Sequence, residues 1–346
     1  MTKIAILGDT HFGARSSNKN TEHWQRLFYE NVFWPKIESE GIQTIIQTGD
    51  YFDNRKSIDL QTLAFQQEVF VDRAADLGVC VLGLVGNHDI PLRHSLAMSS
   101  PVQLLNQHDH VCFSDSIDEY EFDDRKITVM PWICKENFEE SRDRIQQGGD
   151  ILIGHFEIEG FIMHPGAISK EGINMSDFKG WNRVLSGHYH SQSQNANIQY
   201  VGTPYQMTWN DHTTKHGFWI LDTTDDSMTF VENPFRYFYR LNWKDGCDFP
   251  EGLLEKAYVK INVQKKTDFE AFEKFVDRIN HQQPFDVKII ESFEEFTSEN
   301  VSDLITVQTT EELIEEYISD VATETSKETV TKTMLSIYQS ALRNEE

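Results

Sequence analysis

The chain is expected to fold as a layered α/β domain with at least partly parallel strands. Two observations predict it: short apolar runs of strand length alternate with helix-period segments, and five of those runs end in glycine followed by a polar side chain. At 346 residues with 39% hydrophobic side chains it can bury a sizeable core, and it exceeds the usual size of a single domain. One large domain plus one or two smaller units is therefore expected.

In chain order, the strand-like runs are KIAIL (3–7), TIIQT (44–48), CVLGLV (80–85), ITVMPW (127–132), DILI (150–153) and RVLS (183–186). Between the first and second, Trp24, Leu27, Phe28 and Val32 fall on one helical face. Between the second and third, Leu60, Leu63, Phe70, Ala74 and Leu77 do the same, and Gly78 stands where a helix would end. Ligands of such sheets bind beyond the carboxyl ends of the strands. Later, YVKINV (258–263), DFEAFEKFVDRI (268–279) and FDVKII (285–290) make a β-α-β unit. From about residue 308, Leu313, Tyr317, Ile318 and Val321 recur at helical spacing. Val330, Met334, Ile337, Tyr338, Ala341 and Leu342 repeat the pattern, and Thr309 or Thr310 ahead of Glu312 offers an N-cap. Packing on the chain's own domain and docking on a partner both fit this stripe.

Composition narrows the function. No apolar run approaches the roughly 20 residues of a membrane helix, and Lys3 leads directly into IAIL, so a soluble, unexported, cytoplasmic protein is expected. Cys80, Cys112, Cys134 and Cys247 lack any C-x-x-C spacing and read as reduced core or near-core residues. A net charge of −25 argues against non-specific affinity for a polyanion. The excess is uneven: residues 291–346 carry 14 acidic against 3 basic side chains, while 235–288 carry 9 against 10.

The strand ends carry the chemistry: GDTH (8–11), GDYFD (49–53), GNHD (86–89), GHFE (154–157) and GHYH (187–190). Each glycine is expected to let the chain leave its strand sharply. Asp9, His11, Asp50, Asn87, His155, His188 and His190 then supply seven nitrogen and oxygen ligands without a thiolate. That is too many for one tetrahedral zinc, but suits two metals when one carboxylate bridges. Manganese, iron or zinc fits mixed imidazole and carboxylate ligation better than magnesium. Such a pair clamps a phosphate and acidifies a water. Asp53 reads as a cap or as support for a ligand, and the remaining histidines, including His94, His108, His110 and His164, as ordinary solvated or core residues.

These motifs, in this order over residues 8–190, resemble those of the calcineurin-like metallophosphoesterases. GDYFDNR, GNHDIP and YVGTPYQ (200–206) are most similar to the SbcD-type DNA double-strand-break repair nucleases. Size and acidity resemble the T-even-like bacteriophage members, whose location would be the host cytoplasm. The resemblance implies a four-layer sandwich of two β-sheets flanked by helices. It implies a nuclease domain over 1–234, a small DNA-capping domain over 235–292, and an acidic linker with a helical tail over 293–346. One metal would be held by Asp9, His11, Asp50 and His190, the other by Asp50, Asn87, His155 and His188, with Mn²⁺ the expected ion. His88 would face the scissile phosphate, with Asp89 orienting its ring. The implied partners are DNA, an SbcC-type ABC ATPase bound through the C-terminal helices, and a second copy of the chain. Lys260, Lys265, Lys266 and Lys274, with Arg15, Arg55 and Arg93, are candidate phosphate contacts. Leu60, Leu63, Leu96, Leu104 and Leu105, within 58–76 and 93–106, are candidates for the dimer face and equally for the core.

Three other readings compete. A protein phosphatase would carry arginine after the aspartate of GD-x-x-D, where this chain has Asn54, and would end the third motif in glutamate instead of Asp89. A small-molecule phosphodiesterase would share the whole metal site, since the motifs define the reaction and not the substrate. A non-catalytic scaffold would have little reason to keep His88.

Overall fold

The computed structural model describes residues 2–92, 94–164, 167–243, 249–263, 269–291, 326–327 and 329–334. Four parallel strands come first: β1 (Lys3–Leu7), β2 (Thr44–Gln47), β3 (Cys80–Leu84) and β4 (Val111–Ser114). The chain then enters a second sheet through β5 (Asp118–Phe122), β6 (Arg125–Met130) and β7 (Gly149–His155). After a small ribbon, β8 (Ile162–His164) with β9 (Ala167–Ile168), the second sheet is completed by β10 (Trp181–Gly187), β11 (Ser193–Asn195) and β12 (Ile198–Tyr200). β13 (Gly217–Asp222) and β14 (Ser227–Glu232) return to the first. The orders are β14-β13-β1-β2-β3-β4 and β11-β12-β10-β7-β6-β5.

Strand alternation explains the layers. Ile4 and Ile6 of β1, with Ile46, Leu82 and Leu84, pack between the sheets against Ile127, Val129, Ile151, Ile153 and Leu185. Their neighbours Ala5, Leu7, Ile45 and Val81 point the other way, onto an aromatic layer that includes Phe28, Phe33 and Phe70. Met130, Leu152 and Val184 do the same for the second sheet, against Ile145 of helix Phe138–Gln147 and Phe178. Two sheets flanked by helices result, as expected. Because the inner strands are buried on both faces, they read as continuous apolar runs.

The helical segments differ from simple amphipathic helices. Lys19–Phe28 passes through a π-helical turn, Tyr29–Phe33, into Trp34–Glu40. Leu60–Gln66 passes likewise through Gln67–Val71 into Asp72–Leu77, where Gly78 caps the end at φ 65°. Each π turn rotates the buried face, so Phe28, Tyr29, Phe33 and Trp34 are all buried while Trp24, Leu27 and Val32 are only partly so. Cys80 and Cys112 depart from expectation by being exposed: Cys112 lies on the sheet-edge strand β4 and Cys80 opens β3.

β15 (Phe238–Trp243), β16 (Tyr258–Val263) and β17 (Asp286–Glu291) form a separate, wholly parallel sheet. Helix Phe269–His281 covers one face with Phe272, Phe275 and Ile279 on Val259 and Ile261. β15 was not expected: its alternation, FYRLNW, is obscured by the aromatic and arginine residues leading into it. Residues 1–291 form one compact unit and 292–346 a second. In the latter, residues 327 and 329–334 are helical. The stripe residues Leu313 to Val321 and Ile337 to Leu342, with Thr309, Thr310, Arg93, Lys265, Lys266 and Cys247, lie outside the described residues. Among the described residues no helix is long and apolar enough to cross a membrane.

Candidate metal centre

The parallel strands deliver the motif residues to one edge of the sandwich. β1 leads to Asp9 and His11, β2 to Asp50, β3 to Asn87 and His88, while His155 closes β7 and His188 and His190 follow β10. β7 and β10 run on through Gly154 and Gly187, so the glycines do not all serve as exits. Close approach is the stronger reason. A Cβ on Gly86 would lie 2.1 Å from the Asp50 nitrogen, and one on Gly187 would lie 2.4 Å from Asp9 Oδ1. Gly86→Ala is therefore expected to displace Asp50 and abolish metal binding, checked by metal content after gel filtration.

Among the described residues, three groups of metal-type donors each have their ligand atoms within 4.8 Å of one another: Asp9, His11 and His190; Asp50, His155 and His188; and His11, Asp53 and His88. Asp50 Oδ2 lies 3.3 Å from His155 Nε2 and 3.8 Å from His11 Nε2, between the first two groups. Asn87 Oδ1 is 2.9 Å from His155 Nε2 and 3.0 Å from His188 Nδ1. His155 Nδ1–H donates to the Thr48 carbonyl at 2.9 Å, which leaves Nε2 as the ligating atom. His11 Nδ1 lies 3.1 Å from Asp53 Oδ1, directing its own Nε2 inward. Three of these candidate ligands adopt left-handed backbone, His11 (φ 42°), Asp50 (φ 51°) and His188 (φ 85°).

His88 and Asp89 do not form the expected pair. His88 Nδ1–H donates to the Asp53 carbonyl at 2.7 Å, and the His88 main-chain N–H donates to Asp50 Oδ1 at 2.6 Å. Asp89, fully buried, accepts instead from the N–H groups of Gly86 (2.9 Å), Phe52 (3.1 Å) and Tyr51 (3.2 Å). The carboxylate ties the second and third motif loops together, because buried N–H donors outcompete a half-exposed ring for it. Asp89→Ala should cost at least about 3 kcal/mol by stranding three donors. Urea unfolding of the metal-free protein checks this; unchanged stability with a collapsed kcat would restore the dyad.

The electrostatics fit cation binding. Burial pushes Asp9 up to about 6. Although burial also acts to raise it, Asp50 is held well below the ordinary carboxylate range by the charges of His155 and His11. Against burial, Asp53 and Asp50 raise His11 to about 9, and Asp50 and Asp9 raise His155 to about 9. Burial and the His155 charge lower His188 to about 3; burial and His11 lower His190 to about 4. His11 and His155 thus hold protons where cations would sit, and ligation must displace them. Apparent metal affinity should rise as pH increases toward 9, measured by isothermal titration between pH 6 and 8.5. Their stabilisation of the metal-free fold is present below about 6.5 and lost as pH rises through 9.

Sequence reasoning found every residue of the first two groups. It missed the carbonyls of Thr48 and Asp53, which carry no side-chain signal, and Trp132, whose ring lies 5.2 Å from that of His188 and 5.9 Å from that of His155.

A profile of the calcineurin-like phosphoesterases matches residues 2–192. The chain belongs to that family. Exonuclease subunit 1 of Enterobacteria phage T4 is 30% identical over 305 residues, 86% of this chain and 88% of the phage protein. The match agrees with the likeness to phage recombination nucleases read from the motifs together with size and acidity. A solved archaeal phosphodiesterase overlaps 67% of this chain and 100% of its own at TM-score 0.35 and 13% identity. The family's divalent metal ions fit the residues present: the buried His11 Nε2 has no hydrogen-bond partner among the described residues, and the donors are imidazole and carboxylate.

Proposed function

We propose that the chain is a metal-dependent DNA nuclease. It would work with an SbcC-type ABC ATPase in recombination-dependent DNA repair and replication, in the cytoplasm of a phage host. The observation that carries the chemistry is the pair of ligand groups with Asp50 between them and His88 alongside. The relative that turns phosphoester chemistry toward nucleic acid is the T4 exonuclease subunit. Asp9, His11, Asp50 and His190 would hold one ion, and Asp50, Asn87, His155 and His188 the other. When bound, a divalent pair neutralises phosphate charge and acidifies a water for attack on phosphorus. Manganese suits the imidazole-rich donor set.

The chain's own part centres on His88. Burial lowers its pKa, and Nδ1–H is committed to the Asp53 carbonyl, so in the free protein Nε2 carries a lone pair. An arriving anionic phosphodiester raises that pKa, allowing Nε2 to take a proton and deliver it, or a hydrogen bond, to the phosphoryl or leaving oxygen.

DNA contact is supported by residues 235–292, which we assign as the cap. Arg240, Lys260 and Lys288 stand opposite one another across β15, β16 and β17. Burial and the charges of Arg240 and Lys288 lower the Lys260 ammonium, which sits 4.2 Å from the Trp209 ring centroid. Like charges placed opposite one another destabilise a sheet, so a cation row in so acidic a chain favours a polyanion ligand. Arg15 adjoins the row, 4.5 Å from the Tyr258 ring. Within the row Lys288 has Asp286 at 4.0 Å, and Lys274 on the helix pairs more closely, with Glu270 at 2.6 Å. Residues 293–346 are assigned to the ATPase and 58–76 with 93–106 to a homodimer. Of the five leucines considered, Leu60 is 82% exposed, while Leu96 and Leu105 belong to the core.

The test is cleavage of linear double-stranded DNA, single-stranded DNA and bis-p-nitrophenyl phosphate in Mn²⁺, in Mg²⁺ and after EDTA. DNA degradation in Mn²⁺ that EDTA abolishes is expected. Hydrolysis of the small diester alone, even with the ATPase present, would make the protein a small-molecule phosphodiesterase.

A further inference from the structure

Beside the metal centre lies a cavity of 440 Å³, walled in part by Trp132, Phe138, His155 and Ile173, with Glu157 and Asp177 among its polar groups. Its volume is that of a small-molecule pocket. Two features tie it to the chemistry. His155 lines the cavity and is also a member of the Asp50 ligand group, and Trp132 packs against both His155 and His188. A substrate whose phosphate sits at the ligand groups would therefore place its ester substituent at the cavity mouth. The wall chemistry selects that substituent. Trp132 and Phe138 offer aromatic surface, and Phe138 is 46% exposed although it lies in the first turn of its helix. Arg142 also lines the cavity but is engaged by Glu139 at 3.2 Å and Asp143 at 3.9 Å, which offsets its pull on a phosphate, while the oxygens of Glu157 and Asp177 accept hydrogen bonds from the ring N–H and exocyclic amino groups of a base. A duplex cannot enter such a space; one nucleoside can.

We propose that this cavity is a nucleobase subsite, which receives the unpaired base next to the scissile phosphate. The inference rests on the nuclease reading and deepens it: the substrate at the moment of cleavage is a single-stranded or frayed nucleotide. Stacking on an aromatic wall tolerates any base, so no sequence preference is expected from Trp132 and Phe138, while the two carboxylates favour bases with a donor edge.

The full-length protein in Mn²⁺ is given single-stranded oligonucleotides that are identical except for one abasic tetrahydrofuran residue beside a mapped cleavage position, with bis-p-nitrophenyl phosphate assayed in parallel. The wild type should cut beside the abasic residue about 10- to 100-fold more slowly than beside a base, the size of one lost stacking interaction. Ile173→Trp, which fills the cavity, should cut both oligonucleotides at the abasic rate. Because the wild-type comparison needs no variant, a misfolded Ile173→Trp does not obscure the answer. Equal wild-type rates on the two oligonucleotides overturn the base subsite and leave the nuclease reading intact. Cleavage of neither oligonucleotide, even with the ATPase present, while hydrolysis of the small diester is preserved, overturns the nuclease reading and the subsite with it.

Discussion

His88→Ala should lower kcat on DNA by about 10²- to 10⁴-fold and leave metal binding unchanged. The ring shares a third donor cluster with His11 and Asp53, but it contributes no atom to the Asp9 or the Asp50 group, and its Nδ1 is taken by the Asp53 carbonyl. Its one ring hydrogen bond among the described residues goes to the Asp53 carbonyl, which fixes the tautomer and leaves Nε2 for the substrate. Removing the imidazole therefore takes away proton delivery and one polar contact to the phosphoryl group. His88→Gln, which can hydrogen-bond but not shuttle a proton, should recover part of KM and little of kcat. Manganese titration of the variant provides the control: loss of an ion would show that His88 supports the centre instead of acting on substrate.

Asp50→Ala should have the larger effect on the centre itself. Oδ2 of this carboxylate lies 3.8 Å from His11 Nε2 and 3.3 Å from His155 Nε2, facing the inward ring nitrogen of each histidine set. It also accepts the His88 N–H, so one substitution is expected to disturb both proposed ion sites and the placement of His88. Expected results are activity below about 10⁻³ of wild type and the disappearance of the metal-induced rise in Tm. His11 and His155 should fall from about 9 when the Asp50 charge is removed, a change that NMR titration of the metal-free variant can follow.

The fold and the clustering of the Asp and His side chains were largely legible because both rest on local patterns. Runs such as KIAIL and DILI name buried parallel strands, and the Asp and His residues that follow them name the edge where the site forms. What escaped the sequence depends on three-dimensional approach. The phase shift at Tyr29–Phe33 and Gln67–Val71 follows from π turns that periodicity cannot register. The use of Gly86 and Gly187 to admit Asp50 and Asp9, instead of to turn the chain, appears only when neighbouring strands are in place. Asp89 misled for a related reason. Adjacent to His88 in sequence, it points at three backbone donors from two loops, and the contact that orients the ring comes from a carbonyl, which no residue type advertises.

The central claim is that two metal ions share Asp50. Manganese-edge anomalous diffraction from crystals grown in Mn²⁺ tests it most directly. The account predicts two peaks about 3.5–4 Å apart, one contacting Asp9, His11 and His190, the other Asn87, His155 and His188, with Asp50 on both. A single peak, or two peaks that do not have Asp50 in common, would contradict it.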